Sequence, residues 1–314
     1  MDTQNSYGKK LPLLYLWMFK SLLFNPLNGK YRVGSIRAFL QFICFSHTIF
    51  ALPFALSAML TAAHGFPSRR IFLLIIMAMV FARTAAMTFN RVIDWELDKR
   101  NPRTAYRHLL VGQPVAIAAC VISSFSFIAT TWLINRLCLV LSPLALGVVF
   151  FYSLTKRFTY ASQFFLGLAL SVVPIGAWNA VTGEFALPSL ILALCIFLWV
   201  AGFDMIYAVQ DLEVDRREGL KSMVVLLGIP ASLRVAKWLH MGMLLPLSFF
   251  GWVERFGFSY AIALGLIFWI LVYRHFMVDC SAKAANWALS NAAVGLLLMA
   301  GVFMDFYWKS SLRF

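Results

Sequence analysis

Arg83-Thr-Ala-Ala-Met-Thr-Phe-Asn90-Arg-Val-Ile-Asp94-Trp-Glu-Leu-Asp98-Lys-Arg-Asn-Pro-Arg103-Thr-Ala-Tyr-Arg107 puts polar and charged groups at the end of an otherwise apolar run of membrane length. On a helix turning about 100° per residue, Asn90, Asp94 and Asp98 share an arc of roughly 80°, and Arg83 falls inside it. Glu96 points elsewhere. Pro102 and the residue before it predict the stop of this helix. An amide and two carboxylates on one face, at a membrane edge, have the makings of a divalent-cation site.

The composition surrounding this stretch excludes a soluble protein. Of 314 residues, 61% are hydrophobic and 13% charged, with a mean hydropathy of +0.80. Soluble chains carry about 25% charged residues, so this is an all-α polytopic membrane protein. The net charge of +14 does not come with a basic stripe on a polar background, which argues against nucleic acid and for membrane topology. The five cysteines lie in or beside apolar spans without a CxxC pair, so neither disulfides nor zinc are expected.

Apolar runs of spanning length (about 17–25 residues) fall near 36–62, 71–92, 112–134, 138–155, 161–181, 188–208, 233–251, 257–275 and 285–306. Nine spans are therefore expected, least clearly separated at Asn135-Arg136. Residues 11–24 are aromatic and too short to span, and read as an interfacial amphipathic helix. They belong to a 1–35 N-terminal segment with no signal-peptide plan, followed by a 36–314 transmembrane domain. With this span assignment, 20 of the 27 Lys and Arg fall on the side of the N-terminus and 6 on the other, leaving Arg83 within a span. That bias predicts a cytoplasmic N-terminus in a bacterial-type inner membrane.

A second stretch, Gly202-Phe-Asp204-Met-Ile-Tyr207-Ala-Val-Gln210-Asp211-Leu-Glu-Val-Asp215-Arg-Arg-Glu-Gly219-Leu-Lys221-Ser222, repeats the plan. Asp204, Asp211 and Asp215 lie within roughly 40° on a helical wheel, with Glu213 opposite. Asp94 and Asp98 sit 117 residues before Asp211 and Asp215. The two motifs would close the second and sixth helices, which suggests two pseudo-repeated four-helix halves plus one helix, with the site between the halves. Both motifs then face the cytoplasm. Asp204 lies about two turns deeper, where a carboxylate is costly and functional by default.

Four converging aspartates would repel by about 4 kcal/mol per pair at 4 Å and an effective dielectric near 20, so something positive must join them. Oxygen ligands without His or Cys favour Mg²⁺, which bridges carboxylates to substrate phosphates. Arg83, Arg103, Arg107, Lys156 and Lys221 would hold the remaining phosphate oxygens. Carboxylates, metal and a basic rim at a membrane edge imply a lipid with a diphosphate head.

The ordered set Asn90-x-x-x-Asp94-x-x-x-Asp98 with Arg103-Thr-x-x-Arg107, Tyr152-Ser-Leu-Thr-Lys156, and Asp204-x-x-Tyr207-Ala-x-x-Asp211-x-x-x-Asp215 with Gly219-Leu-Lys221-Ser222 resembles the UbiA family of intramembrane aromatic prenyltransferases. The resemblance implies Mg²⁺-dependent transfer of a polyprenyl group from polyprenyl diphosphate to a ring carbon of a hydroxylated aromatic acid. It implies metal ligation by Asp94, Asp98, Asp211 and Asp215 with Asn90, and diphosphate binding by Arg83, Arg103, Lys156 and Lys221, with Arg107 and Tyr152 in the same signatures. Asp204, a candidate base, and Tyr207 would serve the acceptor. Where many members read Arg-Pro-Leu, this chain has Arg107-His108-Leu109, and His108 gains no role from the family. The pattern Arg83-Thr-Ala-x-Met87, Asn90-Arg-x-Ile-Asp94 and Asn101-Pro-Arg-Thr104 resembles members serving menaquinone synthesis through 1,4-dihydroxy-6-naphthoate more than those serving ubiquinone synthesis through 4-hydroxybenzoate. The competing class is an ion-coupled transporter, which also uses intramembrane acids and paired halves. Transporters place those acids near the midplane, whereas most here sit at helix ends among basic residues.

Overall fold

In hydrocarbon every backbone N–H and C=O must be paired within the chain, so unbroken apolar runs become helices. The computed structural model describes residues 35–44, 48–280 and 287–311, and those residues form helices and connecting turns without a strand. The expected interfacial helix at 11–24 lies outside the described residues.

Seven helices among the described residues are long and apolar enough to cross a membrane. They correspond to seven of the nine expected spans. The other two expected spans are divided. Within 36–62, α1 (Ile36–Phe42) and α2 (Thr48–Ala62) are separate helices. Cys44 has a φ of 49°, a left-handed conformation that ends a helix. Within 233–251 the chain breaks at Met243. Pro246 has no N–H to give to the Gly242 carbonyl, which is where a continuous helix would need one.

The first motif closes α3 (Arg69–Ile93). Asp94 then leaves helical geometry (φ −94°, ψ 16°) and α4 (Trp95–Arg100) follows. The helix therefore does not run unbroken to Pro102. After a short 3₁₀ turn at Arg107–Leu109 come α5 (Gln113–Ile134), α6 (Arg136–Thr155) and α7 (Ser162–Thr182). Asn135, at the weakly marked junction, ends α5 and caps α6, its Oδ1 accepting from the Cys138 N–H at 2.8 Å.

The second motif repeats the architecture of the first. α8 (Leu187–Ala208) passes through a 3₁₀ turn to Asp211 (φ −100°, ψ 0°), and α9 (Leu212–Arg217) follows. Both aspartates adopt the same backbone conformation and both introduce a six-residue helix. A 117-residue offset carries α4 onto α9, so the repeat read from aspartate spacing extends to local structure. The chain continues through α10 (Met223–Leu227), α11 (Ile229–Gly242), α12 (Leu244–Val253), α13 (Phe258–Cys280) and α14 (Trp287–Ser311).

The main core lies among α2, α7, α8, α12, α13 and α14. Trp199 of α8 is fully buried at its centre, 4.9 Å from the Phe54 ring and 5.2 Å edge-on to Phe203. Lipid tails are as apolar as leucine, so helix association here rests on close packing and small residues rather than on hydrophobic burial. Gly167 shows the principle: a Cβ there would lie 2.6 Å from the Phe197 carbonyl oxygen, so only glycine lets α7 and α8 approach. Large side chains such as Trp238, Trp252, Phe258 and Trp269 face outward, as lipid-facing residues should.

Candidate active site

The site is built where the ends of α3, α6 and α8 meet the short helices α4 and α9. Each motif aspartate is engaged by a basic side chain. Arg157 donates to Asp94 Oδ1 at 2.8 Å and to the Ile93 carbonyl at 3.0 Å. Arg107 donates to both Asp98 oxygens, at 3.0 and 3.2 Å, and Arg91 approaches Asp98 Oδ2 at 3.5 Å. Arg103 forms a two-pronged pair with Asp211, Nε to Oδ1 at 2.9 Å and Nη2 to Oδ2 at 2.7 Å. Lys156 Nζ lies 3.7 Å from Asp215 Oδ2.

Several of these contacts join the two halves. Asn101 Nδ2 donates to Asp211 Oδ1 at 3.3 Å, Arg100 pairs with Glu218 at 3.0 Å, and Arg217 donates to the Arg100 carbonyl at 3.3 Å. The loop after the first motif is thereby tied to the helix that closes the second. The Lys221 N–H donates to the Lys156 carbonyl at 2.7 Å, which brings a third loop into the same rim.

Outside the spans, the electrostatics follow from burial and charge pairing. Burial lifts the Asp94 carboxyl above the ordinary aspartate range, against the pull of Arg157. Burial also opposes the charge on Lys156, but Asp215, Asp204, Asp211 and Asp94 outweigh it and hold the ammonium above the usual lysine value. Burial, followed by repulsion from Arg91, pushes Arg107 below the ordinary arginine value.

The structure thus holds the site residues in three groups: Asn90, Asp94, Asp98 and Arg107 linked through Arg91; Arg103 with Asp211; and Lys156 with Asp215. Lys156 feels Asp94, Asp211 and Asp215 together. Asp204 borders these groups, adding to the field at Lys156, and Tyr152 lies one turn before Lys156 at the end of α6. Tyr207, one turn after Phe203, packs edge-on against its ring at 5.9 Å. Two expected phosphate partners make other contacts. Arg83 donates to the Cys44 carbonyl at 3.2 Å, and the Lys221 ammonium meets the Phe158 carbonyl at 3.3 Å and the Tyr160 ring at 5.8 Å.

Arg91 and Arg157, which in the sequence count only among the Lys and Arg that set orientation, also join this rim. Arg91 is buried and joins Asn90 Oδ1 at 3.2 Å to Asp98. Its position seven residues before Asp98 is the spacing that puts two side chains on one helix face, and that spacing was available in the sequence. Arg157 reaches Asp94 across 63 residues, a contact that no local pattern announces.

Among the described residues no three acidic, histidine or cysteine side chains converge into a ready-made metal cluster. The carboxylates turn instead to basic neighbours. The donor set nevertheless fits a hard cation, being oxygen throughout. Asp215 Oδ2 is also buried without a hydrogen-bond partner, which leaves one lone-pair face unused.

The model of the UbiA prenyltransferase family matches residues 51–303. The chain belongs to that family. This UbiA-family protein is an integral membrane prenyltransferase. It is 29% identical over 253 residues to a 4-hydroxybenzoate octaprenyltransferase of Tolumonas auensis, covering 79% of this chain and 88% of that one. The enzyme of the same description from Coxiella burnetii is 30% identical over 254 residues, covering 78% and 87%. Among solved structures, a UbiA homologue from Aeropyrum pernix superimposes with a TM-score of 0.75 at 28% identity, over 83% of this chain and 98% of that one. A homologue from Archaeoglobus fulgidus, solved with DMAPP and Mg²⁺, shares the fold with a TM-score of 0.69 at 17% identity, over 86% and 99%.

Proposed function

We propose that this UbiA-family enzyme transfers a polyprenyl group from its diphosphate to a ring carbon of a hydroxylated aromatic acid, at the cytoplasmic face of a bacterial-type inner membrane, within a transmembrane domain spanning 36–314. The observation that carries the reading is the meeting of both aspartate motifs with Arg103, Arg107, Lys156 and Arg157 in one rim. A single such motif would serve a metal; two facing motifs with a basic rim suit a metal-bound diphosphate.

Asp94, Asp98, Asp211 and Asp215, with Asn90, would hold Mg²⁺, which would neutralise charge developing on the departing diphosphate. Arg103, Arg107, Lys156 and Arg157, once turned from the carboxylates, carry the guanidinium and ammonium groups to share that charge, with Arg83 and Lys221 at the margin. Apolar side chains such as the stacked Phe89 and Phe150 of α3 and α6 would shield the allylic cation from water as the C–O bond breaks. A ring carbon beside the acceptor hydroxyl then attacks, and the ring proton leaves to a base. Asp204 would take that proton, with Tyr207 one turn along α8 and Tyr152 on α6 serving the acceptor.

Two acceptors fit the chemistry, 4-hydroxybenzoate and 1,4-dihydroxy-6-naphthoate. The relatives' names favour the first; the pattern Arg83-Thr-Ala-x-Met87, Asn90-Arg-x-Ile-Asp94 and Asn101-Pro-Arg-Thr104 favours the second. We expect membranes containing this protein to transfer labelled prenyl groups from a long-chain prenyl diphosphate to 4-hydroxybenzoate only while Mg²⁺ is present. The panel that pairs one donor with both acids decides between them. Transfer surviving full chelation, or absent with both acids, would remove the proposal.

Replacing Asp204 with Asn tests the base. The expected result is a lower kcat with an unchanged KM for the prenyl diphosphate, and a primary isotope effect with ring-deuterated acceptor that the parent lacks. A raised donor KM without that isotope effect would place Asp204 in donor binding instead.

A further inference from the structure

The motif aspartates and their basic partners are close to charge balance before any ligand arrives. Five carboxylates (Asp94, Asp98, Asp204, Asp211 and Asp215) face five cations (Arg91, Arg103, Arg107, Lys156 and Arg157). A divalent cation entering alone must displace basic side chains that already neutralise its ligands. A diphosphate entering alone must draw the same side chains from carboxylates that would then lie bare beside it. When both enter, each releases what the other needs: the metal takes the carboxylates and the anion takes the freed cations.

Arg103 is the residue on which this exchange turns most clearly. Its planar fork occupies both oxygens of Asp211, at 2.9 and 2.7 Å, while its carbon stem belongs to the other half of the molecule. Asn101 adds a third bond to the same carboxylate, and the Arg103 N–H is fixed by Asn101 Oδ1 at 2.9 Å. Arg103 is half exposed while Asp211 is largely covered, so the guanidinium can swing outward without dragging a helix with it. Lys156, by contrast, is held at 3.7 Å from Asp215, too far to hydrogen-bond its oxygen.

We infer that Arg103 is a latch that occupies Asp211 in the ligand-free enzyme and exchanges it for diphosphate when the divalent cation binds, making metal and diphosphate binding mutually dependent. This rests on the proposal above that both ligands share this site. Coupling of this kind is reciprocal, each ligand raising affinity for the other by the same factor, typically about 5–150-fold.

The test uses the full chain in detergent with Mn²⁺ as the metal probe and inorganic pyrophosphate as the anion. Free Mn²⁺ is followed by electron paramagnetic resonance, and pyrophosphate binding by calorimetry. In the parent protein, pyrophosphate is expected to tighten Mn²⁺ binding by about 10-fold or more, within the range usual for coupled sites. In Arg103→Gln, Mn²⁺ alone is expected to bind more tightly than to the parent, because Asp211 is no longer occupied, while the gain from pyrophosphate shrinks. A merely structural arginine would not strengthen metal binding when removed. Arg103→Lys keeps the charge but loses the fork, and is expected to lie between; it carries the test should Arg103→Gln fail to fold. Unchanged or weaker Mn²⁺ binding in these variants, or additive binding in the parent, would overturn the latch alone. A parent protein that binds neither probe, or whose Mn²⁺ binding is untouched by Asp211→Asn, would overturn the shared site and the latch with it.

Discussion

Asp211→Asn is expected to lower kcat/KM for prenyl transfer by about 10²–10³-fold, the equivalent of the several kcal/mol that a metal-held diphosphate gains in the transition state. The substitution keeps shape and removes charge. Two effects compete for the explanation, loss of a metal ligand and loss of the Arg103 pair. Arg103 is half exposed, and pairs of that kind contribute about 0–1 kcal/mol to stability. The thermal midpoint in detergent should therefore move little while activity collapses. Glu213, exposed and on the opposite side of α9, supplies the control: Glu213→Gln should leave kcat/KM unchanged. An Asp211→Asn protein of parental activity would sink the metal assignment. One that unfolds as readily as it loses activity would show that the carboxylate serves the fold.

That aspartates as distant in sequence as Asp94 and Asp211 both act on Lys156 was readable from the 117-residue offset, because repeated motifs on repeated helices tend to face each other across the repeat axis. The helical wheel gave less. It assumed an unbroken helix through each motif, whereas Asp94 and Asp211 both step out of helical geometry and begin a new short helix. The residues still gather, because the breaks are short, Asp94 alone in the first motif and the Val209–Asp211 3₁₀ turn in the second. After the first the chain keeps its direction: the Asp98 N–H still reaches the Asp94 carbonyl. Composition likewise reported seven spans well and two poorly. The divided segments are broken by local backbone events, a left-handed Cys44 and a proline after Gly242, which an average over about 20 residues smooths away. Arg157 escaped for a different reason. A basic residue at a cytoplasmic loop already has a topological explanation, so only the three-dimensional contact with Asp94 separates the two roles.

Gly202→Ala should be the most damaging single methyl group near the site. Gly202 lies two residues before Asp204, and a Cβ there would come within 2.6 Å of His240 Cδ2 and Nε2 and 3.1 Å of the Ala236 carbonyl. The His240 ring has little freedom to yield. Its Nε2 lies 3.1 Å from the Trp199 carbonyl, which can only accept, so that nitrogen carries the proton. Its Nδ1 then accepts from His275 Nε2 at 2.9 Å. The ring is thus tied to α8 and α13 at once, and the added methyl must push α8 from α11. Overpacking of this sort costs about 1–3 kcal/mol, and the displaced segment is the one that aims Asp204. The expected result is a lower thermal midpoint together with a lower kcat. A double-mutant cycle with His240→Ala identifies the cause: with the ring gone the methyl has room, so the double variant should be less destabilised than the sum of the two singles, by roughly 0.5–3 kcal/mol. Additive losses would move the strain elsewhere. A Gly202→Ala protein with parental stability and turnover would mean that α8 and α11 have slack to spare, and that the position of Asp204 does not depend on how closely these helices pack.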